Sequence, residues 1–103
     1  VTPNYNVMGV AKAALESTVR YLATDLGKDG IRVNAVAPGW IETEMTEALR
    51  ADADRNGPIL GRTPLDRWGK PAEVGTLAAW LLSSEAAFVT GAVYPVDGGY
   101  SAM

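Results

Sequence analysis

The chain has 103 residues, with 9 Lys+Arg against 12 Asp+Glu, a formal net charge of −3, and neither cysteine nor histidine. One compact domain is the most such a length holds. The missing residue types exclude a Ser-His-Asp triad, an imidazole base, a thiolate nucleophile, disulfides and a Cys/His zinc site. With 48% hydrophobic and 20% charged residues the composition is that of a globular chain. Its acidic balance is a poor footprint for nucleic acid, and no apolar run approaches the ~20 residues of a membrane span. The absence of cysteine fits a reducing compartment, and the expected location is cytoplasmic. The start, Val1-Thr2-Pro3-Asn4, is polar and uncharged and does not read as a signal peptide. The chain does not begin with Met, which leaves room for a start further upstream.

The first expected element is a long helix from Asn6 to Leu26. Val7, Ala11, Ala14, Leu15, Thr18, Leu22 and Leu26 recur at spacings of 3 and 4 and form an apolar stripe, with Gly27 as the stop. After the turn Lys28-Asp29-Gly30, the run Ile31-Arg32-Val33-Asn34-Ala35-Val36-Ala37 reads as a strand covered on both faces, ended by Pro38-Gly39. Residues 40–70 are the least regular part, with a short helix expected from Glu44 to Ala53. Beyond it Asn56-Gly57-Pro58, Gly61, Pro64 and Gly69 break any period. An excursion so rich in Gly and Pro reads as a functional lid or binding loop. Pro71 opens a second helix running to about Ser83. A last strand is expected over Ala92–Val96, with Pro95 marking an edge strand or a strand end, and Asp97-Gly98-Gly99 closes it as a turn.

This order is α/β with crossover connections. Two strands are too few for a parallel sheet apolar on both faces, and a 21-residue amphipathic helix needs more partners than these. The expected fold is therefore the C-terminal portion of a larger α/β domain.

Tyr5 and Lys12 are the first chemical candidates. Seven residues apart on a helix, they fall within about 20° of one face and about 10.5 Å apart along the axis, with Met8 between them. A Lys ammonium near a phenol favours the phenolate, and a tyrosine so tuned can protonate an oxygen on which charge develops. The plain alternative is a surface Lys and a packing Tyr. Asn34, a polar residue inside an apolar strand, reads chiefly as structural, since a buried amide needs partners. Pro38-Gly39-Trp40-Ile41-Glu42-Thr43 follows the C-terminal end of a strand, where open α/β sheets bind ligands; an ordinary turn is the alternative. Arg62 and Arg67, flanking Pro64, read either as solvated loop residues or as steering an anionic substrate. Trp40, Trp68 and Trp80 read as core or lid packing. The carboxylates form neither a metal-binding set nor an acid/base pair.

Taken together, these residues resemble the short-chain dehydrogenase/reductase family. Ile31–Gly39 is similar to its strand and cofactor loop, Pro64–Val74 to its segment after the lid, and Thr90–Tyr100 to its last strand and C-terminus; the likeness covers essentially the whole chain. It implies an NAD(P)-dependent oxidoreductase on a Rossmann-type, doubly wound parallel sheet, with NADH or NADPH as cofactor. In it, residues 1–103 form the C-terminal part of one NAD(P)-binding domain whose N-terminal half, with the Gly-rich loop, is absent from this sequence, and residues 43–66 form the substrate lid. The resemblance makes Tyr5 the proton donor. Lys12 becomes a ribose ligand that lowers the Tyr5 pKa. Pro38 and Gly39 become the lining of the nicotinamide, and Ile41 and Thr43 contacts to its carboxamide or to the phosphates. Tyr5, Met8 and Trp40 become substrate contacts, and Asn34 stays structural. It also implies a homotetramer.

Most members separate Tyr and Lys by three residues. Here six intervene, and this spacing, with Pro3-Asn4-Tyr5-Asn6-Val7-Met8-Gly9, closely resembles the enoyl-[acyl-carrier-protein] reductases of bacterial fatty-acid synthesis. From Ala35 on, the chain is more similar to carbonyl-reducing members such as 3-oxoacyl reductases and hydroxysteroid dehydrogenases. Enoyl reductases commonly show Ala-Gly-Pro where this chain has Ala37-Pro38-Gly39. The donor's displacement along the helix favours enoyl reduction, in which charge develops on a thioester oxygen remote from the carbon that receives hydride. The expected substrate is thus an acyl thioester on acyl carrier protein or CoA, with a carbonyl reductase and a non-catalytic fragment as the alternatives.

Overall fold

A computed structural model describes residues 6–102. Its elements run α1 (Asn6–Leu26), β1 (Ala35–Pro38), α2 (Glu47–Ala51), α3 (Ala53–Gly61), α4 (Pro71–Leu82) and β2 (Val93–Val96), with short 3-10 turns at Gly27–Asp29, Glu44–Thr46, Ser84–Ala86 and Tyr100–Ala102.

α1 ends as its sequence dictates. Gly30 adopts φ +76°, and the amides of Gly30 and Ile31 close onto the carbonyls of Gly27 and Leu26. The face it turns inward, however, differs from the expected stripe. Val19 and Ala23 are buried, whereas Val7 and Leu15 remain 77% and 54% exposed. The small Ala23 lies against Gly91, where an added side-chain carbon would meet Ala23 Cβ at 3.4 Å. The Val7–Leu15–Leu22 stripe therefore forms a second, outward apolar face.

β1 is shorter than the expected 31–37 strand because the residues before it bond through side chains. Val33 donates its amide to Thr90 Oγ1 and its carbonyl accepts from the Gly91 amide. Asn34 donates from Nδ2 to the Val89 carbonyl and accepts the Ala92 amide on Oδ1, which gives it the structural role expected for a polar residue at this position. The Arg32 guanidinium reaches the carbonyls of Leu81 and Ser83 at 2.7 and 3.1 Å, supplying donors to the C-terminal end of α4.

β1 and β2 pair in parallel, with Ala35 opposite Val93 and Pro38 opposite Val96. The amides of Ala35 and Gly39 donate to the carbonyls of Ala92 and Val96. Because alternate residues of a parallel strand face opposite edges, Pro95 turns the side that lacks an N–H away from β1, as the edge-strand reading requires. The strand residues are half-buried, with Pro38 and Pro95 exposed, rather than covered on both faces.

The segment after β1 departs most from expectation. The helix foreseen over Glu44–Ala53 is divided at Asp52, whose extended backbone and carboxylate, accepting from the Asp54 amide, start α3 afresh. α3 then continues through Gly57 and Pro58, where local propensity argues against a helix. Tertiary contacts hold it. Asn56 Oδ1 accepts from the Trp68 indole at 2.6 Å, and Thr63 Oγ1 donates to the Ile59 carbonyl. α4 forms as expected, with Pro71 at its first position.

Among the described residues the buried apolar ones are Val19, Ala23, Trp68, Leu81 and Ala86. The described chain measures 50 × 30 × 25 Å with a radius of gyration of 15.8 Å, against about 13 Å for a compact 100-residue domain. The core of the described residues is thin for their number.

Candidate functional site

The C-terminal ends of β1 and β2 meet at Gly39 and Asp97. A side-chain carbon at Gly39 would lie 2.5 Å from Asp97 Cβ, so the glycine serves close contact between the strand ends. From there Trp40–Glu42 runs beside Gly69. The Gly69 amide donates to the Trp40 carbonyl at 3.0 Å, and the Glu42 amide donates to the Gly69 carbonyl at 2.9 Å. This alternation turns the Ile41 amide to the opposite face, where it finds no hydrogen-bond partner among the described residues. Gly69 is itself fixed by an ion pair. Arg67 grips Glu73 through both nitrogens at 2.7 and 2.8 Å, and Glu73 also accepts the Lys70 amide. Lys70 Nζ reaches Glu42 at 3.2 Å.

The Arg67 guanidinium, and after it the Lys70 amide, hold the Glu73 carboxyl down at about 2, from an ordinary 4.5. A carboxyl with a depressed folded-state pKa stabilises fully above its unfolded value and loses that contribution as pH falls through the folded one. Glu73→Gln is therefore expected to lower Tm at neutral pH, with the gap to wild type closing between pH 4.5 and about 2. Thermal scans across that range check this; a gap independent of pH would show that the ion pair is not its source.

Asp97 accepts from the Gly99 amide, the Ser101 amide and, at 2.6 Å, the Ser101 hydroxyl. The Ser101 bond, foremost, holds its carboxyl below the usual range. Gly98 and Gly99, at φ +62° and +93°, make the turn that allows this. The turn carries Tyr100 against Trp40, with ring centroids 6.3 Å apart, and Trp68 meets Trp40 edge-on at 5.7 Å. The Arg62 guanidinium lies over the Tyr100 ring at 4.2 Å. Arg62 and Arg67 are thus both engaged within the chain, Arg62 with Tyr100 and Arg67 with Glu73.

The sequence candidates fall into two groups. Pro38, Gly39, Trp40, Ile41 and Thr43 follow one another as a ledge at the end of β1; Trp40 and Ile41 line a cleft of about 430 Å³, and Pro38, Gly39 and Trp40 line one of about 460 Å³. Met8 and Lys12 lie on α1, where Met8 is half-exposed and Lys12 exposed. Glu16, one turn beyond Lys12, lines the larger cleft together with Pro38, Gly39 and Trp40, so this face of α1 leads toward the ledge. Tyr5 lies outside the described residues. Sequence reasoning missed Thr46, Arg50, Gly69, Glu73 and Asp97. Of these, Gly69 and Asp97 carry a signal, the one as a breaker in a turn-rich segment and the other as the opening of the Asp97-Gly98-Gly99 turn, and neither signal points to a site.

An unpartnered backbone amide at Ile41 and the exposed Thr43 hydroxyl are donors suited to a carboxamide or phosphate oxygen. On the described geometry, the ledge fits a nicotinamide cofactor.

Among the described residues no helix is long and apolar enough to cross a membrane. Residues 1–101 match the family model described as enoyl-(acyl carrier protein) reductase. The NADH-dependent enoyl-[acyl-carrier-protein] reductase of Nostoc sp. is 48% identical over 101 residues, which are 98% of this chain and 39% of that protein. The 2-dehydro-3-deoxy-D-gluconate 5-dehydrogenase of Pseudoalteromonas atlantica is 43% identical over 90 residues, 87% of this chain and 35% of that protein. A solved structure from Agrobacterium tumefaciens, provisionally named a 2-deoxy-D-gluconate 3-dehydrogenase and holding NADP, superposes with a TM-score of 0.88 at 47% identity. It covers 91% of this chain and 38% of its own. The chain spans about two fifths of the length of the relatives it matches. The parallel β1–β2 pair with its ledge, the full-length family match and these superpositions show that the chain belongs to the short-chain dehydrogenase/reductase family, on its Rossmann-type α/β fold.

Proposed function

We propose that the protein carrying this chain is an NADH- or NADPH-dependent reductase of the carbon–carbon double bond of enoyl thioesters, borne on acyl carrier protein or CoA. The observation that carries this reading is the six-residue separation of Tyr5 and Lys12. The nicotinamide cofactor, when bound, supplies the hydride. The chain's own residues do the rest. The Ile41 amide and Thr43 hydroxyl bind and orient the cofactor, and the Pro38-Gly39 backbone lines its ring. Lys12 binds the ribose and, by its charge, favours the Tyr5 phenolate. Tyr5, seven residues before Lys12 in the sequence, gives its proton to the thioester oxygen, which two carbons separate from the carbon that takes the hydride. Met8 and Trp40 flank the acyl chain, and residues 43–66 cover it as a lid. Residues 1–103 are then the C-terminal part of one cofactor-binding domain, in a cytoplasmic homotetramer.

One observation favours a second reading, carbonyl reduction. The order Ala37-Pro38-Gly39 departs from the enoyl-reductase pattern, and a provisionally named sugar-acid dehydrogenase matches at 47% identity. Nicotinamide absorbance in the full-length native protein, with crotonyl and acetoacetyl thioesters in parallel, separates the two. Oxidation with the crotonyl thioester alone, abolished in Tyr5→Phe, is expected. Turnover of the acetoacetyl thioester alone overturns enoyl reduction.

A further inference from the structure

Thr46 ends the 3-10 turn Glu44–Thr46 that follows the ledge, and no cofactor or substrate contact is assigned to it above. Among the described residues its hydroxyl makes the most hydrogen bonds of any. Oγ1 accepts the Thr43 amide at 3.0 Å and lies 2.9 Å from the Ile41 carbonyl. The Thr43 carbonyl is 3.1 Å away and Arg50 Nε 3.4 Å. A hydroxyl has one proton. With the Thr43 amide and Arg50 both donating to Oγ1, that proton goes to the nearer carbonyl, Ile41. The Thr43 carbonyl is taken instead by Arg50 Nη2 at 2.9 Å. Arg50 in turn lies over the Trp68 ring, 5.9 Å from its centroid. The peptide groups of residues 41–43 are thus fixed from the lid side by Thr46 and Arg50, and from the other side by Gly69.

What these bonds leave open is as informative as what they close. They consume the Ile41 carbonyl and both backbone polar groups of Thr43. The Ile41 amide stays free for a ligand, and the Thr43 hydroxyl is exposed but lies 3.4 Å from Thr46 Oγ1, a contact that helps set its direction. Holding one set while leaving the other outward sets the direction in which the donors point.

We propose that Thr46 is a positioning residue for the cofactor, fixing the Ile41–Thr43 ledge through its single hydroxyl, with Arg50 as its second anchor. This rests on the nicotinamide-dependent reading above. It also makes the first turn of the lid part of the cofactor site, so that the segment that covers the substrate starts on a residue that orients the cofactor.

The test is direct NADH and NADPH binding, by nicotinamide fluorescence, to the full-length native protein and to Thr46→Val, Thr46→Ser and Arg50→Met. Steady-state kcat and KM for cofactor and thioester are measured alongside. Val keeps the branched shape and removes the hydroxyl; Ser keeps the hydroxyl. Loss of two hydrogen bonds held by one group predicts a roughly tenfold weaker cofactor affinity in Thr46→Val. The thioester KM is expected to stay within about twofold, and Thr46→Ser to restore most of the binding. Arg50→Met, which keeps an aliphatic stem over Trp68, is expected to weaken cofactor binding severalfold and serves if Thr46→Val folds poorly. Equal cofactor affinity in wild type, Val and Met overturns the positioning role while leaving the nicotinamide reading intact. So does a Ser variant as impaired as Val, or a parallel change in the KM of both substrates. A wild type that binds neither nucleotide overturns the functional reading, and this inference with it.

Discussion

Gly39→Ala is expected to destabilise the protein by about 2–3 kcal/mol, at the upper end of what overpacking costs. The added carbon would lie 2.5 Å from Asp97 Cβ and 2.8 Å from Asp97 Cα. These atoms cannot rotate aside. Asp97 is held by three hydrogen bonds to the Gly98–Ser101 turn, and the Gly39 amide is bonded to the Val96 carbonyl at 2.9 Å. Relief requires the strand ends to part, which also displaces the ledge that follows. Gly69→Ala supplies the contrast. There the added carbon would meet Ile41 Cδ1 at 2.7 Å, the far end of a flexible side chain that can change rotamer. Denaturant unfolding of both variants should rank Gly39→Ala clearly the worse, and equal losses would mean that the strand ends are not the rigid element.

Trp68→Ala is expected to cost about 3–4 kcal/mol, within the range for truncating a buried aromatic. Trp68 is 7% exposed, packs edge-on against Trp40 and donates its indole N–H to Asn56. Its removal opens a void under the ledge, leaves the Asn56 carbonyl oxygen without its donor and frees α3 from the contact that sustains it through Gly57 and Pro58. Trp68→Phe should recover most of the packing and lose the hydrogen bond, costing about 1–2 kcal/mol. Trp80, 39% exposed, is the control, and its alanine variant should cost less than about 1 kcal/mol. Urea midpoints order the three; a Trp80 effect as large as that of Trp68 would refute the account.

What the sequence made legible follows from how local each signal is. α1 and α4 carry their periods, stops and N-terminal proline within a few residues, and both lie within a residue of where those signals place them. β2 was marked by Gly91 before it and the Asp97 turn after it. α3 was not legible, because Gly57 and Pro58 argue against a helix and the bond that overrules them comes from Trp68, twelve residues on. The length of β1 was misread for a related reason: Val33 and Asn34 have strand-like neighbours but spend their hydrogen bonds on Val89–Ala92. The ledge itself was located by its place after a strand. The residues that hold it rigid were not, since a Thr, an Arg and a Glu in a polar stretch look alike until the backbone folds them together.

The proline at the outer edge of β2 has a consequence for how copies of this chain behave toward one another. A bare strand edge is a template on which another molecule's strand can add, and repeated addition leads to fibres. Of the β2 residues, only Val93 and Pro95 present their backbone outward in the parallel pattern, and Pro95 has nothing to donate. An incoming strand would meet a single amide, at Val93, too little to secure a register. The outward positions of β1 are Val36 and Pro38, the second again without an N–H, so each edge of the pair offers a single amide and neither is a template for growth of the sheet.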